Sequence, residues 1–534
     1  MKNSIDRRQF MKKIAKGGAV GALGSLGQLS MMSEAVAASP SFGDGYKALV
    51  CVFMYGGNDG FNMLIPSDGL HADYQTSRAA LAVQKNDLGL SSISNALHNG
   101  TMGGGDANLY NIDLQHTSAY TKGFYDLSSK GINLGVNGVM PEFAQLVMDD
   151  KLSIIANSGN MVAPVTRDQV LNGTANLPLF LFAHNHQQRE LQTGRADSIA
   201  DIGWAGQVAD SWVGINNNSP FGLNVSYSGN DRLLIGRNTS PLVLSPRLPP
   251  SFVNMRKDNS SYETQRRTLF KDLINLGKSS SPFKQLTAGL LDHSITSYES
   301  LSTAWAENPI NYATKGPYGE DLFASPSAAQ LGFGAGVGTS FISRMNYVAK
   351  MIDLGARDAF ATGNYKRQIF FVGVGGYDSH NNQSASHSIR LRDMSLGLWK
   401  FQKAMEELGH AEKVTTFSMS DFGRTLSING GLGTDHAWGS HHFVMGGAGA
   451  KTAGSLNGGS MMGTAPSLKI GGVDDSGNKG RIIPTTSQDQ VNATVCKWFG
   501  VDEALISNIF PNLSNFETNP GVASSAYLNN LFVS

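Results

Sequence analysis

Only two cysteines, Cys51 and Cys496, occur in this 534-residue chain. That excludes a disulfide framework and leaves no basis for a cysteine-ligated metal or a thiol nucleophile. Cys51 falls in an apolar run and Cys496 in a helical pattern, which predicts two buried free thiols. Charge is scarce too: Asp, Glu, Lys and Arg make up 16% of the residues, and 42 basic side chains balance 42 acidic ones. No basic surplus points to nucleic acid as a partner. Beyond residue 38 no apolar run is long enough to span a bilayer, and no repeat of solenoid or propeller type is visible. Haem, iron–sulfur and dinucleotide motifs are missing as well, which gives a redox enzyme no support.

Glycine, by contrast, is abundant at 62 residues, and it marks a recurring pattern. Hydrophobic runs break at glycines or at a strand end and then present an acid. Ala48–Tyr55 leads into Gly56-Gly57-Asn58-Asp59, and Gln368–Val374 into Gly375-Gly376-Tyr377-Asp378-Ser379-His380. Val414–Ser420 leads into Asp421-Phe422-Gly423-Arg424, followed by Asp435-His436 and His441-His442. Such runs read as buried strands, and acids beyond their ends as a crevice at one sheet edge. The long amphipathic pattern Ser388–Leu408, between two of the strands, predicts a parallel pair with a right-handed crossover. Further helices are predicted over Tyr262–Leu276, Leu286–Trp305 and Phe341–Leu354, and Ser487 is placed to cap another that ends at Gly500.

Asp6-Arg7-Arg8-Gln9-Phe10-Met11-Lys12-Lys13, a moderately apolar stretch to Met32, and Ala35-Val36-Ala37-Ala38 form a twin-arginine leader pattern over residues 1–38. Export to the periplasm or beyond is the expectation, with no stable membrane insertion. Removing the leader's six basic and two acidic residues leaves the remainder with a net charge of −4. Residues 39–534 read as one domain with loop-rich stretches near 89–140 and 205–255.

Asp59, Asp378 and Asp421, with His380, His436 and His441 or His442, offer the mixed oxygen and nitrogen ligands that suit Zn²⁺, Mn²⁺ or Mg²⁺. A single Asp after a glycine turn is more often a turn residue, and an Asp–Arg structural network through Arg424 is an equally physical outcome. His184 and His186 follow an apolar run; they pair on one face if extended, or face an anion if they begin a helix.

The segments GGNDGFNMLIP at 56–66, GGYDSHNNQ at 375–383 and SDFGRTLSINGGLGTDHAWGSHHFVMGGA at 420–448 resemble the domain-of-unknown-function family 1501, exported proteins grouped with alkaline phosphatases and sulfatases. The resemblance implies an alkaline-phosphatase-like, three-layer α/β/α core with a mostly parallel sheet and a divalent metal at its carboxyl edge. Asp59 then resembles the first-strand metal aspartate, Asp378 and His380 the Asp…His pair, and Asp421 the aspartate that normally precedes a histidine. Phe422 stands where that histidine would be, so His436 or His184 is the substitute, and His436 or His442 resembles the late histidine. Ala183-His184 replaces a frequent Ser-His, which leaves Ser158 and Thr166 as candidate nucleophiles. Arg424 or His184 would face the substrate oxyanion. The implied activity is hydrolysis of a phosphate or sulfate ester, small or polymer-linked. A non-catalytic binding or assembly protein on the same fold is the alternative.

Overall fold

The computed structural model describes residues 45–85, 88, 123–212, 214–216, 221–245, 260–278, 281–326, 340–359 and 365–534. The expected leader, residues 89–122 of the first loop-rich stretch and 246–255 of the second lie outside them. Nine strands form the main sheet: β1 (Lys47–Met54), β2 (Leu152–Gly159), β3 (Asn224–Ser226), β4 (Leu242–Val243), β5 (Arg367–Val374), β6 (Val414–Ser420), β7 (Ser440–Gly446), β8 (Met461–Met462) and β9 (Thr486–Ser487). Their order is β8-β2-β7-β6-β1-β5-β3-β4, with β9 also pairing with β2. Every pairing is parallel except the two that β7 makes with β2 and β6.

The continuous apolar runs follow from burial on both faces. Ala48, Val50, Val52 and Met54 point into one core, and Leu49, Cys51 and Phe53 into another. The helices used below are α1 (His71–Arg78), α2 (Pro141–Met148), α3 (His184–Thr193), α4 (Trp204–Ser211), α5 (Ser340–Ala356), α6 (Gln383–Glu407) and α7 (Gln488–Phe499). α2, α5 and α6 pack on the first core, α4 and α7 on the second. The class is therefore α/β, with helices on both faces of a large, mostly parallel sheet. Ser487 caps α7 through a capping box and Gly500 closes it in the left-handed conformation. Helices Ser261–Lys278 and Pro282–Glu307 pack on one another through Ile274, Ala288 and Ile295.

One expectation is corrected. β5 and β6 are parallel, but β1 lies between them and pairs with both. β1 is apolar on both faces, so its most favourable seat is the sheet centre, and the 25 residues of α6 bridge the wider gap. The glycine-rich excursion after residue 205 also adds to the sheet, since β3 pairs with β5. Among the described residues no helix is long and apolar enough to cross a membrane.

Both cysteines are free and buried, Cys51 in β1 and Cys496 in α7, and burial pushes both thiols up. A disulfide-exchange reagent is expected to find no reactive thiol in the folded protein and two in denaturant. Labelling of either under native conditions contradicts this packing.

Candidate metal centre

β1 is in register with both neighbours to its last residue: Met54 pairs with Val374 of β5 and with Ser420 of β6. The turns that follow therefore leave the sheet at one level, and Gly56 and Gly57 make them fit. Gly56 has φ +110° and a Cβ there would lie 2.4 Å from the Asp378 nitrogen; one at Gly57 (φ +83°) would lie 2.6 Å from the Phe422 ring. Asp59, Asp378 and Asp421 do come to one edge, but they are not equivalent.

Asp59 is fully buried, with one oxygen 2.5 Å from Arg78 of α1 and the other 2.5 Å from Gln383 Nε2. Gln383 in turn accepts from Thr434 Oγ1 at 2.5 Å and from Ser379 Oγ at 3.0 Å. Both carboxylate oxygens are thus occupied by the fold, and the expected metal ligand is instead half of a buried ion pair. Asp421, 1% exposed, accepts from Gly56 N at 3.2 Å and Gln188 Nε2 at 2.8 Å, and lies 2.6 Å from His184 Nδ1. Asp378 alone is open, its side chain 46% exposed. Burial pushes its pKa up, but a hydrogen bond and the charge of Arg424, aided by His380 and His184, outweigh that and hold the carboxyl below the usual range.

Two histidines face Asp378 with their tautomers set from behind. His184, the first residue of α3, presents Nδ1 to the Asp421 carboxylate; His436 presents Nδ1 to the Phe182 carbonyl at 2.8 Å. Each acceptor requires the proton on Nδ1, which leaves an Nε2 lone pair. Those Nε2 atoms are each 3.6 Å from an Asp378 oxygen, and one ligand atom from each of the three residues lies within 4.8 Å of the others. His184 Nε2 is buried without a hydrogen-bond partner. Burial, with the charges of Arg424 and His184, lowers the His436 pKa despite the Phe182 carbonyl and Asp378, so the ring is neutral near pH 7. Two imidazoles and a carboxylate converging on one point, each with an outer partner, fit a divalent cation with open coordination positions. His380 stands at the rim, Nε2 3.0 Å from Asp378 and 3.1 Å from His436 Nε2, Nδ1 3.4 Å from Asp435. The Phe422 ring packs against both His184 and His436, with centroids 4.7 and 4.6 Å away, while the two imidazoles meet each other at 4.4 Å.

Phe182 carries a positive φ of 72°. For a bulky side chain that is costly backbone, and here it aims the carbonyl that orients His436.

Other expected residues lie elsewhere. Arg424 is fully buried: its guanidinium donates to the carbonyls of Gly57 (2.9 Å), Thr434 (3.1 Å), Tyr377 (3.2 Å) and Gly56, as well as to Asp378. It positions Asp378 and is not open to a substrate oxyanion. Thr166 caps the exposed helix Arg167–Leu171 through a reciprocal capping box with Gln169. Ser158 is buried against Gln488 at 3.2 Å. His442 is buried in β7, 3.2 Å from Ser418 Oγ, and His441 accepts from Asn157 N at 3.1 Å, so neither faces Asp378. Sequence reasoning missed Arg78 and Gln383, the partners of Asp59. The one available signal was that a buried acid requires a compensating donor.

The fold and site together define an α/β protein with a His–His–Asp cluster at the carboxyl edge of a mostly parallel sheet. A family described as "Protein of unknown function (DUF1501)" matches residues 353–505. That segment runs from α5 to just past α7 and includes Asp378, His380, Asp421, Arg424 and His436, so it supports the resemblance drawn from the motifs. No curated protein matches the chain.

Arg78→Met is expected to lower unfolding free energy by about 3–5 kcal/mol, because it leaves the Asp59 carboxylate buried and unpaired. Adding Asp59→Asn should recover part of that loss in denaturant melts; additive losses would show that the pair does not interact. A second expectation concerns pH. Burial lowers His442 to about 4, against about 6.5 in the unfolded chain. Its contribution is fully present above pH 6.5 and lost as pH falls toward 4, because only the unfolded ring takes up the proton. The stability difference between wild type and His442→Leu should shift toward the variant across that window, and a pH-independent difference contradicts it.

Proposed function

We propose that this protein is an exported metal-dependent hydrolase of a phosphate or sulfate ester, built on an alkaline-phosphatase-like core. The observation that carries this reading is the convergence of His184 Nε2, His436 Nε2 and Asp378 at the carboxyl ends of β1, β5 and β6. Zn²⁺ suits two imidazoles and a carboxylate best, ahead of Mn²⁺ or Mg²⁺. A cation there supplies charge for an ester oxyanion and lowers the pKa of a water molecule. Asp421 and the Phe182 carbonyl keep the two imidazoles in the ligating tautomer, and Arg424 fixes Asp378. His380, 39% exposed and with Nε2 3.0 Å from an Asp378 oxygen, is placed to carry a proton to a leaving oxygen. The twin-arginine pattern supports export to the periplasm or beyond.

One observation favours the second reading, a non-catalytic binding protein. Asp59 is already neutralised by Arg78 and Gln383, and Ser158 and Thr166 are engaged away from the cluster. The two readings separate in one experiment on the mature chain. Bound Zn, Mn and Mg are measured, and nitrophenyl phosphate mono- and diesters and sulfates are assayed. The hydrolase reading expects about one metal per chain, lost with turnover in His184→Ala and His436→Ala. Asp421→Asn is expected to weaken metal affinity by about 10–100-fold, as an outer partner should, whereas Thr166→Ala leaves turnover unchanged. A chain with neither metal nor turnover ends the hydrolase reading.

A further inference from the structure

A cavity of about 160 Å³ adjoins the histidine cluster without belonging to it. Leu177, Leu181, Phe182 and Trp438 give it an apolar lining, and Lys479 and Arg481 add cationic groups. The lining is held in place from several directions. Trp438 is 1% exposed and its Nε1 donates to the Asn160 carbonyl at 2.6 Å. Arg167, in the helix capped by Thr166, donates to the carbonyls of Asp475 and Gly477, both at 2.6 Å, which ties that helix to the turn preceding Lys479.

Two of these residues also touch His436. Phe182 offers its carbonyl to His436 Nδ1 while its ring lines the cavity. Arg481 donates from Nε to the His436 carbonyl at 3.1 Å, and its guanidinium lies 4.4 Å over the Phe182 ring. Size sets what fits: an apolar cavity of roughly 150 Å³ takes one benzene ring. Charge sets what the ring must carry, since the added groups are a lysine and an arginine.

We propose that this cavity receives the aromatic group of an anionic ester whose acid group sits at the His184–Asp378–His436 cluster, so that aryl esters are selected over small alkyl ones. The proposal rests on the ester reading for the acid group, and on cavity size, lining and shared residues for the ring. Phosphate and sulfate share the required chemistry, a tetrahedral oxyanion joined to a ring. Leu177, Leu181 and Trp438 exclude water from the ring, Arg481 and Lys479 balance the ligand's charge, and the volume leaves no room for a second ring.

The test reads binding, so it does not depend on turnover. Phenylphosphonate and methylphosphonate, neither of which is an ester, are titrated calorimetrically into the metal-loaded mature chain. The phenyl ligand is expected to bind about tenfold or more tightly, as burial of one ring predicts. Leu177→Trp, which fills the cavity, should bring the two ligands to parity and leave methylphosphonate unchanged; Leu181→Asp carries the same expectation should the first variant not fold. Equal binding by wild type, or a phenyl preference that survives both variants, overturns the proposal. So does phenylphosphonate affinity that is indifferent to His184→Ala, because the acid group would then lie elsewhere. A phenyl preference that meets these conditions without turnover of any ester supports the cavity and removes the hydrolase reading. Turnover of nitrophenyl esters without a phenyl preference removes the cavity and leaves the hydrolase reading.

Discussion

One buried guanidinium holds the carboxyl edge of the sheet together. Arg424 donates to the backbone of Gly56, Gly57, Tyr377 and Thr434 and to the Asp378 carboxylate. Those atoms belong to the turns after β1 and β5 and to the short strand Thr434–His436. Sheet register brings the turns to the same height, but only a multivalent donor fixes them against each other. A lysine could not do this, since its single ammonium lacks the planar fork that reaches several acceptors at fixed angles. The position of Asp378, and with it the geometry of the histidine cluster, depends on that side chain.

The same arrangement explains why the three acids at the sheet edge are not equivalent. A carboxylate at a sheet edge can face solvent or be compensated from within. Asp378 does the first, Asp59 the second, and Asp421 stands between, orienting His184 through Oδ2, which also accepts from Gln188 and Gly56, while its Oδ1 is buried without a partner. Phe422 packs against both His184 and His436, so the imidazoles rest on an apolar surface that limits water around them.

Much of this was legible in the sequence. The buried strands, the capped helix after Ser487 and the convergence of three acids followed from hydrophobic period and turn chemistry, which are local. The order of strands was not, because the seat of β1 between β5 and β6 depends on competition among partners hundreds of residues apart. The split among the acids was hidden for a similar reason: whether Asp59 is a ligand or an ion-pair partner turns on Arg78 and Gln383, which motif spacing does not single out. His442 looked like a ligand beside a strand, yet within β7 it packs inward against Ser418, and nothing local distinguishes that outcome from the other face.

The central seat of β1 has a consequence for biosynthesis. Its two edges pair with residues 367–374 and 414–420, so the first described strand has no partner until most of the chain has been made. At roughly 5–20 residues per second, Met54 waits on the order of 20–70 s for the segment that ends at Ser420. Until residues 367–374 emerge, an eight-residue apolar strand with both edges bare must be kept from pairing with other chains, and one edge stays bare until Ser420. The core cannot assemble from the amino terminus onward; it closes in a late, long-range step, after which the turns at the carboxyl edge lock together through Arg424.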